Sequence, residues 1–224
     1  MNKPKILIIT PHSKCKETVR DCDLRARDVA LNMEKVAKNA MYDVVLFESD
    51  VERKIHDYNR IESFNTPWRE KIRNYIESNL DNEIIIFEMH SFPAKDTEFT
   101  EGSQIALLAI DEYYYKTKIL HDYLVSEGIK INTAINNTRI VNLMVDTSRY
   151  PNIKQHYLIE FNEDKSVLNV SDENKILKKI FLLSIGNHIN LISVILPIIL
   201  FIMLFILYIM VYRTDFHSVD QEIL

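Results

Sequence analysis

Ile84-Ile85-Ile86-Phe87-Glu88-Met89-His90-Ser91 is the stretch on which the architecture turns. From Glu83 to Met89 the run is almost continuously apolar, as a strand is when both faces are covered at the centre of a largely parallel sheet. It ends in polar groups. Burying Glu88 and His90 beside such a run costs free energy unless they find partners or a metal. A histidine hydrogen-bonded within the core is the plainer alternative.

Outward from this strand, extended and helical patterns alternate. Lys5–Thr10 reads as a buried strand, and 21–39 as a helix carrying Leu24, Val29, Leu31, Val36 and Ala37 among charges. Tyr42–Glu48 is the next strand. Pro67, at the first turn of a helix over Trp68–Asn79, has Thr66 as its cap. Strands at Gln104–Ile110 and Ile129–Ile135 flank a helix over Glu112–Glu127 that Gly128 stops. Arg139–Val145 fits helix or strand. His156–Asn162 is the last strand, followed by a helix over Ser171–Ile180. This order predicts an α/β fold, a three-layer sandwich on a mixed, mainly parallel central sheet of the phosphorylase/hydrolase kind.

The C-terminal end has a different character. From Leu191 to Tyr212 there is no charged side chain, and a run of about 20 apolar residues matches the hydrocarbon core of a bilayer. Pro197 is tolerable in such a helix. The division expected is an α/β domain over 1–168, a helical linker over 169–189, a transmembrane helix over 190–212 and a polar tail over 213–224. Met1–Lys5 leads into Ile6-Leu7-Ile8-Ile9, too short for a secretory core, so a single-pass, tail-anchored chain is expected. Lys175, Lys178 and Lys179 before the span, against Arg213 after it, favour a cytosolic N-terminal domain. Cys15 and Cys22, read as thiols, suit a reducing compartment. The net charge of −5, with no basic stripe, argues against nucleic acid as a partner. Three glycines are too few for a phosphate-cradling loop.

Four polar islands carry the chemistry: Pro11-His12-Ser13, Asp57-Tyr58-Asn59-Arg60, Glu88-Met89-His90-Ser91-Phe92 and Leu158-Ile159-Glu160-Phe161. Strand C-terminal ends are where such sheets place ligands, and His12, His90 and Glu160 fall near them. Neutral imidazoles on rigid strand ends suit zinc; either histidine also reads as incidental. Asp21, Asp23 and Asp28 offer a carboxylate as third ligand, or simply cap the helix. Arg60, beside Asn59, can grip a substrate carboxylate through two hydrogen bonds. Glu160 among apolar neighbours suits a general base, because burial raises its pKa; a solvent-facing position is the alternative. His156, four residues earlier, points to the same strand face.

In this order the islands, together with Asp21-Cys22-Asp23, resemble the N-formylglutamate amidohydrolase family, itself similar to the zinc carboxypeptidase fold. The resemblance covers roughly residues 5–165. It implies a zinc ion on His12, Asp23 and His90, a substrate carboxylate held by Asn59 and Arg60, and Glu160 as base and proton shuttle. The reaction implied is hydrolysis of a C–N amide bond in an N-acyl amino acid or peptide-like substrate. A catalytically silent, membrane-tethered binding module on the same fold is the competing expectation.

Overall fold

The computed structural model describes residues 3–14, 22–93, 102–135 and 142–186, together with Met203. Six strands form one sheet in the order β2-β1-β3-β6-β4-β5. They are β1 Lys5–Thr10, β2 Val44–Glu48, β3 Ile84–Phe92, β4 Ile105–Leu108, β5 Ile131–Ile135 and β6 Ile153–Asn162. The first four in spatial order run parallel, β4 lies antiparallel to β6, and β5 is parallel to β4. The sheet is therefore mixed and mainly parallel, as the sequence predicts. Every residue of β3 is buried, which is the central position its composition demands.

Alternation along β3 separates two environments. Ile84, Ile86 and Phe92 share a core with Leu7, Ile9, Leu108 and Leu158 of other strands, with Trp68, Ile72 and Ile76 of α2 (Pro67–Glu77), and with Leu143 and Met144 of α4 (Asn142–Thr147). By the same alternation, Glu88 and His90 belong to this face. On the other face Phe87 lies against Tyr157 and against Phe181 of α5 (Val170–Gly186). Ser91 there accepts a hydrogen bond from the Arg25 amide at the start of α1 (Ala26–Asn39). Helix α3 (Asp111–Ser126) packs along β4, β5 and β6.

Local signals set most boundaries. Thr66 caps α2 by accepting from the Arg69 amide, and Pro67 opens the helix. Gly128, at φ +78°, follows α3 as expected. Helix α1 starts at Ala26, later than the pattern suggests, because Asp23 serves the site described below. Of the ambiguous 139–145 stretch, the described part is helical from Asn142. Strand β6 begins at Ile153, three residues early, because Ile84 pairs with it. Cys22, read as a thiol, is disulfide-bonded; the chain's other cysteine, Cys15, lies outside the described residues. The chain separates into units 1–184 and 185–224. The expected transmembrane segment 190–212 falls outside the described residues, Met203 apart, and no described helix is long and apolar enough to cross a membrane.

Candidate active site

The parallel strands β1, β3 and β6 end at one rim of the sheet, and their last residues bring the polar islands together. His12 follows β1 in a turn fixed on β2: the Ser49 amide donates to the Thr10 carbonyl at 2.9 Å and the Lys14 amide to Ser49 Oγ at 3.0 Å. The ring is almost fully buried and stands edge-on to His90, with centroids 4.9 Å apart. Their Nδ1 atoms converge on one carboxylate oxygen. Asp23 Oδ2 lies 2.6 Å from His90 Nδ1 and 3.3 Å from His12 Nδ1.

Asp23 is not a helix cap. Arg25 occupies the N-cap of α1 without a side-chain capping bond, and the Asp23 side chain goes to the histidines instead. Its segment is bolted to β6. Glu163 Oε1 accepts from the Leu24 amide at 2.8 Å and from Ser91 Oγ at 2.7 Å. The buried Arg25 guanidinium donates to the Asn162 and Leu168 carbonyls and pairs with Glu173. Asp28 sits in the first turn of α1, and Asp21 is outside the described residues.

Behind each histidine stands a second carboxylate. Asp57 Oδ1 is 2.7 Å from His12 Nε2, and Glu88 Oε1 is 2.9 Å from His90 Nε2. Glu88 in turn faces His156, with Oε2 2.8 Å from Nε2, while His156 Nδ1 lies 2.8 Å from Thr147 Oγ1. Acids and imidazoles thus alternate through the buried site. Burial alone pushes Asp23 and Glu88 up. For Asp23 the charge of His90 and the hydrogen bonds of both histidines outweigh it, and for Glu88 the hydrogen bonds and charges of His156 and His90 do so. Both carboxyls are held well below the ordinary carboxylate range. Asp57 is likewise held low against its burial, by the His12 hydrogen bond and the charges of His12 and Arg53. Burial disfavours the charged form of His90, yet Glu160 and Asp23 raise its pKa well above the usual imidazole value.

Glu160 is in register with His90 on the neighbouring strand and on the same face. It is half-buried, and its side chain makes no hydrogen bond with a described residue. Burial raises its pKa to about 7, with Asp23 adding to the rise and His90, His12 and Arg53 opposing it. The Asn59 amide lies 3.0 Å from His90 Nε2, buried. Arg60 is half-exposed, its Nε donating to Asp57 Oδ2 at 3.2 Å. Four contributors lie outside the sequence-derived set. Asp57 stands in a quoted motif, but its role as support for His12 is not written there. Arg53 contacts Asp57 at 3.3 Å and Asp23 at 3.4 Å, and only the fold of the 49–60 loop brings it in. Glu88 is signalled by the cost of burying it, and His156 by strand parity.

The donor set fits a metal ion. His12, Asp23 and His90 each offer a ligand atom within 4.8 Å of the others, all buried. Zinc takes nitrogen and oxygen at about 2.0–2.2 Å, and a tetrahedral ion would hold its donors about 3.4 Å apart. Ligating histidines characteristically donate their other N–H to a carboxylate, which fixes the tautomer. Asp57 and Glu88 are placed to do that for His12 and His90.

No family model matches the chain, and no curated protein matches it either. Solved structures do. The gene product Atu2144 of Agrobacterium tumefaciens superposes with TM-score 0.62 at 13% identity, over 83% of this chain and 89% of that one. An N-formylglutamate amidohydrolase from Ralstonia eutropha JMP134 gives 0.56 at 10% identity, over 83% and 93%. The fold is amidohydrolase-like. The CwlD amidase of Clostridioides difficile, solved with the GerS lipoprotein, gives 0.47 at 13% identity over 80% and 95%. At these identities the likeness concerns the fold, and the chemistry is argued from the residues themselves.

Proposed function

We propose that the chain is a membrane-anchored, zinc-dependent amidohydrolase that cleaves a C–N amide bond in an N-acyl amino acid or peptide-like substrate. The observation that carries the reading is the convergence of two imidazole Nδ1 atoms on Asp23, each ring backed by its own carboxylate. A core histidine needs one partner. This pair has a shared acid in front and separate acids behind, which is how metal-binding histidines are built. The apolar run 190–212 supports the anchor.

When bound, zinc supplies a water acidified to a pKa of about 7 and an electrophile for the amide carbonyl. His12, Asp23 and His90 would hold it. Asp57 and Glu88 keep a proton on Nε2 of each ring, so that Nδ1 presents its lone pair. Glu160, with a pKa raised to about 7, takes a proton from the attacking water and returns it to the departing nitrogen. Arg60 donates to Asp57 and the Asn59 side chain lies against His90, so both would border a bound substrate acid. Metal analysis of the purified full-length chain tests the reading. One zinc per chain, lost in His90→Ala, supports it. A metal-free wild type that leaves N-acyl amino acids intact after zinc is added would reduce the domain to a silent binding module. Carbonate extraction of membranes, with and without residues 187–224, tests the anchor.

A further inference from the structure

Beside the loop that carries Asp57 and Asn59, a cavity of 330 Å³ opens between the helical turn Ile61–Ser63 and α4. Ile61, Phe64, Asn142, Val145, Asp146 and Arg149 line it. Its volume lies in the range of small-molecule sites, about 300–1,000 Å³. Three guanidinium groups gather on the single Phe64 ring: Arg73 at 4.6 Å, Arg69 at 5.4 Å and Arg149 at 5.7 Å from its centroid. Two of them are committed. Arg69, fully buried, pairs with Asp146 at 3.0 Å and donates to Asn142 Oδ1 and to the Arg60 carbonyl. Arg73 shares the same Asp146 oxygen at 3.2 Å and donates to the Phe64 carbonyl.

Arg149 differs from both. It is exposed, lines the cavity, and makes no hydrogen bond or ion pair with any described residue. Asp146 pairs with Arg69 and Arg73, and the charge of Glu88 also acts on Arg69, whereas Arg149 pairs with no described carboxylate. Arginine engages carboxylates through two parallel hydrogen bonds, and Ile61, Val145 and Phe64 supply apolar wall around it. Asn142, whose oxygen serves Arg69, keeps its NH₂ as a further donor. The Arg69 bond to the Arg60 carbonyl ties the cavity to the loop that braces His12.

We propose that this cavity is a substrate subsite in which Arg149 binds the carboxylate of an acid with an apolar body. Taken with the hydrolase reading, on which it rests for the identity of the ligand as substrate, it assigns the substrate to N-acyl derivatives of apolar amino acids. The cavity itself is testable without turnover. Hydrocinnamate is titrated into the full-length chain by calorimetry, with and without EDTA. Saturable binding that survives EDTA is expected. Arg149→Ala should weaken it about tenfold or more, Arg149→Lys by less, and the neutral hydrocinnamide should bind at least about tenfold more weakly than the acid, since charge-assisted bidentate pairs are the strong ones. Unchanged affinity in Arg149→Ala overturns the proposal. So does a greater loss in Arg60→Ala, or binding that EDTA abolishes, which would place the carboxylate on Arg60 or on the metal. Absence of zinc or of turnover would refute the hydrolase reading and leave this titration standing.

Discussion

Glu160 is the side chain whose environment most directly links chemistry to stability. Its pKa rises from 4.5 to about 7 on folding. Between those values the folded chain holds a proton that the unfolded chain has released, so this group's contribution to stability falls as pH rises through the window. Above pH 7 it is a net cost, because a charged carboxylate is then kept half-buried near Asp23. Glu160→Gln should therefore stabilise the metal-free protein by about 2–3 kcal/mol at pH 8, with the gain vanishing below pH 4.5. Amide hydrolysis should drop by about 10²–10⁴-fold in the same variant, the range for a lost general base. Urea titrations at pH 4.5 and pH 8 check the first statement; equal gains at both would deny the shifted pKa. Glu88 makes a complementary case. It touches no proposed substrate position, and it holds His90 Nε2 at 2.9 Å and His156 Nε2 at 2.8 Å. Glu88→Gln should weaken zinc binding by about 10–100-fold, read by competition with a chromogenic chelator. An unaltered affinity would mean that the buried acid serves packing alone.

Among the elements, two helix ends obey one rule with different residues. After α3 the Gly128 amide bonds to the Val125 carbonyl and the Ile129 amide to Leu124, with Gly128 at φ +78°. After α1 the Met41 amide bonds to Lys38 and the Tyr42 amide to Ala37, with Met41 at φ +58°. Both are Schellman endings, which favour glycine at the left-handed position. A side chain there costs about 1–2 kcal/mol, and Met41 is largely exposed, so no packing compensates. Met41→Gly should raise stability by about 0.5–1 kcal/mol, the strain relieved less the added unfolded-state entropy. Gly128→Ala should lower it. A shift of the wrong sign in Met41→Gly would show that Met41 is held by something other than the turn.

The same comparison shows what a linear reading can reach. Gly128, Thr66 and Pro67 act through neighbours in the chain, and their roles are legible from spacing alone. The apolar run of β3 fixes the central strand for the same reason. His12 and His90 are legible because strand ends present side chains at a common rim. Asp23 is singled out only through the family resemblance, since an acid before a helix normally caps it; the bolt from Glu163 to Leu24 and Ser91 holds it in the site instead. Arg53 and Asp57 escape for a related reason. Their placement depends on the 49–60 loop folding back, with Tyr58 stacked on Trp68 at 4.3 Å and bonded to Asp50. Arg149 and its cavity need α4, whose pattern alone fits either helix or strand.

At the scale of the whole molecule, the cost of gathering these groups falls on folding stability. Asp23, Asp57, Glu88 and Glu160 are packed round His12, His90 and His156, and burial opposes the charge on each of the four carboxyls. Removing one partner from such a network leaves an uncompensated buried charge. A bound dication would satisfy Asp23 and both Nδ1 atoms together, so zinc should act as a folding ligand. At a free concentration 1,000 times its Kd it would add about 4 kcal/mol, and for a domain of this size each kcal/mol moves Tm by about 2–4 °C. EDTA should therefore lower Tm by about 8–16 °C, and zinc should restore it in a concentration-dependent way. The restoration should weaken as pH falls through the raised pKa of His90, because His90 must lose its proton to bind metal. Differential scanning calorimetry of the full-length chain and of His90→Ala, each with EDTA and with zinc, gives the comparison. A Tm that ignores the chelator in wild type, or that responds equally in His90→Ala, would place no ion among these residues.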